Sequence, residues 1–460
     1  MGINFSSFEI GRRALNANQL GIEITGHNIA NVNTPGYSRR SVYLAESPPD
    51  GYGNFQIGTG VTVESVQAFR DNFIESRIQR ELGIAGYLSA RRDSLFPVES
   101  ALQGVDGGGI QASISDFFGA FRDLEANPDS VPLRSVVTGR AQTVTDTFHS
   151  TAERLQEIRS STDLQIRATV DEVNRLSERI ATLNVEIRKS LNAGGDAEAL
   201  RDQRNELLNG LSELTGARST QNDDGTITIT VGEGRALVNA DQVHLITADN
   251  VPPFGLAELN LDGQPVVFES GTINGLSSAI DTVNDTLETL DGIAAEFAAR
   301  VNAIHTTGTD LDGNPGVNIF DTSGTITAST IRVDPTVRTN PRLIVASALP
   351  QPSEYGTVAG QIAGLLTETG ITVGSRNGSF SSIYGTLITD AGSQVRDALD
   401  GLETQAAIIA QATAQRESIS GVSLDEEAIS LLQYQKAFEA AAKFIRVADE
   451  MTQTIISLGG

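Results

Sequence analysis

Few side chains in this 460-residue sequence are spaced for chemistry. The one metal-like run is D310-L-D-G-N-P-G-V-N-I-F-D321, in which Asp310, Asp312, Asn314 and Asp321 fall on positions 1, 3, 5 and 12 of a calcium loop. Such a loop needs glycine at position 6 for its sharp turn and a bidentate glutamate at position 12. Here those positions are Pro315 and Asp321, so the run is expected to be a turn and no metal site is assigned. His27, His149, His244 and His305 share no motif and are expected to be structural. There is no G-x-S-x-G, Walker loop or H-E-x-x-H. The glycine-rich run at 104–109 has no strand before it to make a phosphate cradle, and the chain has no cysteine to act as nucleophile or thiolate ligand. With no convergent site, the chain is expected not to be an enzyme and to need no cofactor.

The remaining charged feature is Arg39-Arg40, at the end of N28-I-A-N-V-N-T-P-G-Y-S-R-R40. Pro35 has no N–H and pushes Thr34 into extended geometry, so a helix arriving from the N-terminal side must stop before it. Thr34-Pro35-Gly36-Tyr37 fits a type II turn, with proline second and glycine third. Asn31 and Asn33 tolerate left-handed geometry and are expected to cap the helix end. The two arginines do not suggest a nucleic-acid patch, because 58 acids against 33 bases leave a net charge of −25, which repels nucleic acid and anionic membrane. An ion pair with an acidic neighbour in a lattice, or simple solvation, is expected instead.

Two long amphipathic helices are expected to position this motif. Over residues 3–30, Phe8, Leu15, Ile22 and Ile29 recur every seventh position. Ile10, Ala14, Ala17, Gly21 and Ile24 fill an adjoining stripe small enough to admit another helix closely. Over 424–457, Leu424, Ala428, Leu431, Gln435, Phe438, Ala442, Ile445, Thr452 and Ile456 hold a period near 3.5, and Asp425, Glu426 and Glu427 sit in the first turn, where the helix dipole favours acids. Residues 1–45 carry four arginines against two glutamates, and residues 422–460 carry three bases against six acids, so the terminal helices are complementary in charge. With little core of their own, they are expected to be weakly ordered until copies assemble.

Between them, residues 37–70 read as extended, with Val42 and Leu44 sharing one face, and 70–103 as helix. One very long helix is expected over 140–191. A second, at 197–214, returns as a hairpin. The period then becomes two over 216–275, with Asp262-Gly263 as a hairpin turn. The aromatic residues noted in this β insertion are Phe254 and Phe268. Helix resumes at 275–305. Residues 306–360 are irregular, with a short strand at 330–333, and a helix at 380–417 precedes the last one. The fold class expected is mainly α with a smaller β part: a coiled-coil-like pair of long terminal helices (1–44 and 420–460), a helical bundle middle domain (45–215 and 276–419) and an inserted outer β domain (216–275). No apolar run is long enough to span a membrane, and the N-terminus has no continuous apolar stretch of a cleaved signal peptide.

G26-HNIANVNTPGYSRR40 resembles the N-terminal signature of the bacterial flagellar axial proteins (rod, hook and hook-associated). The matching positions are Ala30, Asn31, Asn33, Thr34, Pro35, Gly36 and Tyr37. S420-GVSLDEEAISLLQYQKAFEAAAKFIRVADEMTQTIISL458 resembles the closing helix of the hook-associated members, as do L200-RDQRNELLNGLSEL214 and F297-AARVNAIHTTGTDLDGNPG316 their interior. The resemblance implies a structural, extracellular component of the flagellum at the hook–filament junction, exported without a cleaved signal peptide. It implies a homo-oligomer in a tubular lattice, with hook protein below and a second junction protein or flagellin above, and an export chaperone on the C-terminal helix. Neither nucleic acid nor membrane is an expected partner. The assembly interface expected is Phe8, Leu15, Ile22, Ile29, Arg39 and Arg40 with Leu424, Leu431, Phe438, Ile445 and Ile456. The alternatives are another axial protein (hook or rod) or a secreted adhesin or ligand-binding module displayed by the β insertion.

Overall fold

The computed structural model describes residues 3–52, 55–104, 109–252, 255–348 and 356–458. Helix α1 (Ile3–Ala30) runs into the proline turn. After the turn, β1 (Arg40–Glu46) pairs antiparallel with β4 (Val61–Ala68), and β2 (Asp50–Tyr52) and β3 (Phe55–Ile57) form a small hairpin in the connection. The expected shared face of Val42 and Leu44 is not formed. The register shifts between Tyr43 and Leu44, and this bulge leaves Val42 buried while Tyr43 and Leu44 are exposed.

Helix α2 (Asn72–Gln103) starts at Asp71, whose carboxylate accepts hydrogen bonds from the amides of Phe73 and Ile74. Helix α3 (Ile110–Ala126) follows, then the 62-residue α4 (Val131–Asn192), about 90 Å long at the usual rise. It begins nine residues before the expected start, because Ser130 caps it through the amide of Leu133 and Pro132 lies in its first turn. Helix α5 (Glu198–Thr215) folds back beside it.

The β segment forms two small antiparallel sheets. One joins β5 (Arg218–Gln221), β6 (Ile227–Val231), β7 (Arg235–Asn239) and β8 (Gln242–Val243). The other joins β9 (Ile246–Val251), β10 (Leu256–Leu261) and β11 (Gln264–Pro265). Strand β6 alternates as its sequence predicts, with Ile227, Ile229 and Val231 buried. Asp262 and Gly263 both take positive φ, 53° and 72°, as a two-residue hairpin turn requires. The buried faces of these strands share one core with Ile166–Ala181 of α4, with α5, and with the first half of α6 (Gly271–His305).

Beyond α6 come the short α7 (Pro335–Thr339) and α8 (Thr357–Gly364), then a hairpin of β12 (Ile371–Val373) and β13 (Arg376–Gly378). The long α9 (Phe380–Ser420) and α10 (Leu424–Leu458) close the chain. The expected strand at 330–333 is absent. Thr327 and Thr330 close a turn on each other, and the segment contributes only the single bridge from Val333 to Phe320. A second core joins the first half of α4 to α2, α3, the second half of α6, α8 and the start of α9. Its centre is a phenylalanine cluster: Phe297 has ring centroids at 5.3 Å from both Phe117 and Phe320 and at 5.7 Å from Phe380. Phe268 is buried, so it offers no exposed aromatic surface on the β segment. Phe254 and residues 105–108 lie outside the described residues. The molecule is thus mainly helical, with small antiparallel sheets.

Candidate assembly interface

The proline turn is built as its chemistry predicts. The amide of Tyr37 donates to the carbonyl of Thr34 at 3.2 Å, and Gly36 sits at φ 78°. The expected left-handed asparagines are not found: among the described residues only Ala240 and Asp262 are non-glycines at positive φ. Asn31 instead closes the helix end with its side chain. Its Nδ2 donates to the carbonyl of His27 at 2.9 Å, and its Oδ1 accepts from the Thr34 hydroxyl at 3.2 Å. Ala30 is the last residue of α1, and the turn at Asn33, Thr34 and Pro35 stands exposed or half-exposed.

The hub of this region is a residue the sequence did not single out. Asn28 is buried, and its amide reads three elements at once. Nδ2 donates to the Arg40 carbonyl and to Glu427 Oε2, both at 2.9 Å. Oδ1 accepts from the Arg40 amide at 3.0 Å and from the Tyr37 hydroxyl at 2.8 Å. Burial holds the Tyr37 phenol above its usual range, which keeps it a donor. Glu427, also buried, completes the set: its Oε1 accepts from Arg39 Nε at 2.7 Å. The signal for Asn28 was its place one turn before the helix stop. Glu427 lay among the first-turn acids.

Helix α10 packs along α1. The side turned inward carries Glu427, Leu431, Tyr434, Phe438, Ala441, Ile445, Ala448 and Thr452, buried or half-buried at alternating steps of mostly four and three. Leu431, Phe438 and Ile445 of the expected seam lie on this side. Leu424 and Ile456 do not; they are 52% and 69% exposed, as the seam runs instead through Glu427 and Tyr434. On α1, Phe8, Leu15, Ile22 and Ile29 are half-buried and Ala17 is buried. Two glycines admit the close approach: a Cβ on Gly11 would strike the Ile445 side chain, and one on Gly21 would lie 2.5 Å from the Tyr434 ring.

Apolar side chains on α10 outside these inward positions stay open to water. Ile429, Leu432, Phe444, Val447, Met451 and Ile455 are between 44% and 60% exposed. None of the apolar side chains described on α10 is fully buried. A helix with such side chains left open to water has apolar surface to place on something else.

Arg39 and Arg40 are used inside the chain. Arg39 bonds Glu427 and, at 2.8 Å, Glu426. Arg40 Nη2 lies 2.9 Å from Asp202 on α5 and its guanidinium stacks on Tyr37 at 5.0 Å.

The remaining candidates are structural. Asp310 is buried, and its Oδ1 accepts the amides of Asp312 and Asn314; Asp312 pairs with Arg342 and Asp321 with Arg332. No group of three acids or histidines among the described residues could hold a metal. His305 is buried, donates from Nδ1 to the Val317 carbonyl at 2.5 Å and accepts at Nε2 from the Val345 amide at 2.7 Å. Burial lowers its pKa to about 4, so it is a neutral cross-link. His149 meets the Ile331 carbonyl and His244 meets Asp262, each at 2.6 Å. No helix among the described residues is long and apolar enough to cross a membrane.

A family model described as the flagellar hook-associated protein FlgK helical domain matches residues 96–320. Models of the flagella basal body rod protein and of the flagellar basal body rod FlgEFG protein C-terminal match residues 8–37 and 414–458, the two terminal helices. The chain is 27% identical to flagellar hook-associated protein 1 of Bacillus subtilis strain 168, covering 99% of both chains. It is 23% identical to the protein of that name from Salmonella typhimurium strain LT2, covering 96% of this chain and 98% of the relative. The solved structure of the flagellar hook junction protein FlgK from Burkholderia pseudomallei superposes with a TM-score of 0.63 at 14% identity, over 75% of this chain and all of that one.

Proposed function

We propose that this chain, similar over nearly its full length to flagellar hook-associated protein 1, is a structural protein of the bacterial flagellum that forms the junction between hook and filament by polymerising through its paired terminal helices. The observation that carries this reading is the set of apolar side chains on α10, from Ile429 to Ile455, that packing on α1 leaves exposed. In a tubular lattice those side chains are covered by neighbouring copies, and apolar area leaving water at about 25 cal/mol per Å2 drives the packing. The role is mechanical, and no reaction is assigned. Hook protein on one side and a second junction protein or flagellin on the other are the neighbours. Export proceeds through the flagellum's own secretion channel, with a chaperone covering α10 before assembly.

The test is the double variant Val447→Asp, Met451→Asp. Both residues are exposed in the monomer, so its helix content and melting should match wild type, while hooks supplied with the variant should fail to receive filament. Normal filament growth from such hooks would reject the reading.

A further inference from the structure

Arg39 and Arg40 are consecutive at the entry to β1, and successive side chains of an extended backbone point to opposite sides. Arg39 accordingly turns to Glu426 and Glu427 of α10, and its guanidinium lies 5.4 Å from the Phe69 ring centroid. Arg40 turns to Asp202 of α5. The other oxygen of Asp202 accepts from Arg70 Nη2 at 2.5 Å, just past the end of β4. Arg70 Nη1 lies 3.7 Å from Glu198, which also takes Arg201 at 2.8 Å. The Arg40, Arg70, Asp202 and Glu198 side chains are 15%, 12%, 12% and 8% exposed, so water and salt screen them weakly.

Beside the ion pairs, the Arg39 amide donates to the Ser420 carbonyl at the end of α9 at 2.8 Å, and Glu206 of α5 lies against Gly36 of the turn. Among the described residues, no buried apolar cluster includes a member of α1, the β1–β4 ribbon or α10. Beside the ion pairs lies an open crevice of about 840 Å3 between β4, the first turns of α2 and the start of α5, which leaves the ribbon room to swing.

We propose that Asp202 is the latch of a two-sided clasp: Arg39 grips the terminal helix, Arg40 and Arg70 grip Asp202, and together they set the angle between the terminal helix pair and the middle helices. The joint is therefore rigid by ion pairing, where the glycine and polar residues around it would otherwise give a loose linker. It stands independently of the junction reading, because it is a property of the single chain.

The absence of native cysteine makes the test clean. Spin labels at Gln433→Cys on α10 and Glu213→Cys on α5, both exposed, report the angle as a distance distribution in the full-length monomer. Wild type should give one narrow peak. Asp202→Asn should broaden and shift it, and Glu186→Gln, an exposed acid on α4 away from the joint, should not. Arg40→Gln cuts the clasp from the terminal side and should act like Asp202→Asn, which covers the case in which Asp202→Asn also lowers the melting temperature of the middle helices. Distributions unchanged from wild type in both Asp202→Asn and Arg40→Gln would overturn the proposal.

Discussion

Replacing Glu427 by alanine should loosen the terminal helix pair far more than replacing its neighbour Glu426. The two carboxylates are adjacent in sequence, both face Arg39, and both lie in the first turn of α10, so a reading based on local charge would treat them alike. Their surroundings differ. The Glu427 side chain is 3% exposed and accepts from Arg39 and from Asn28; the Glu426 side chain is 62% exposed and accepts from Arg39. A hydrogen bond to a charged group contributes about 1.5–3 kcal/mol, and the loss of two is only partly offset by water reaching Arg39 and by the Glu426 contact that remains. We therefore expect Glu427→Ala to cost about 3 kcal/mol in the docking of α10 on α1. An exposed ion pair contributes about 0.2–1 kcal/mol, so Glu426→Ala should cost no more than that. At 1.4 kcal/mol per tenfold, the first variant raises the opening equilibrium about 100-fold and the second at most about fivefold. Hydrogen exchange of peptides from α1 and α10 in the full-length monomer measures both, with peptides from α4 as an internal control. Equal exchange in the two variants, or unchanged protection of α10 in Glu427→Ala, would refute the reasoning that burial of this carboxylate closes the pair.

Gly21→Val should separate the terminal helices, since a Cβ there meets the Tyr434 ring; overpacking costs about 1–3 kcal/mol, read as lost α10 protection, and Tyr434→Ala in the same chain should restore part of it. Acid should weaken the core around α6 through His305. Its folded pKa of about 4 lies below the unfolded value of 6.5, so its contribution is complete above pH 6.5 and is lost as pH falls toward 4. At 1.36 kcal/mol per pH unit that gap is about 3 kcal/mol, and thermal melts from pH 7 to 4 should show a smaller decline in His305→Gln than in wild type.

The sequence by itself determined what is local. Heptad spacing placed α1 and α10, Pro35 and Gly36 fixed the stop and the turn, and Asp262-Gly263 fixed a hairpin, because each depends on backbone and side-chain chemistry within a few residues. The strand predicted at 330–333 and the shared face of Val42 and Leu44 did not form, since a local turn and a bulge override a pattern read over three or four residues. The small residues Ala14, Ala17 and Gly21 announced a close helix neighbour, and the structure supplied Tyr434 against Gly21 and added Gly11, which meets Ile445. Tertiary structure alone decided which acid each arginine meets. Asn28 and Glu427 are 399 residues apart, and Arg40 and Asp202 are 162 apart. Charge is visible in a sequence, but whether it is buried, and with which partner, depends on which distant elements the fold brings to the same side of a strand. That is why the two arginines expected to meet water or a neighbour are found on the chain's own acids, Arg39 on Glu426 and Glu427 of α10 and Arg40 on Asp202 of α5.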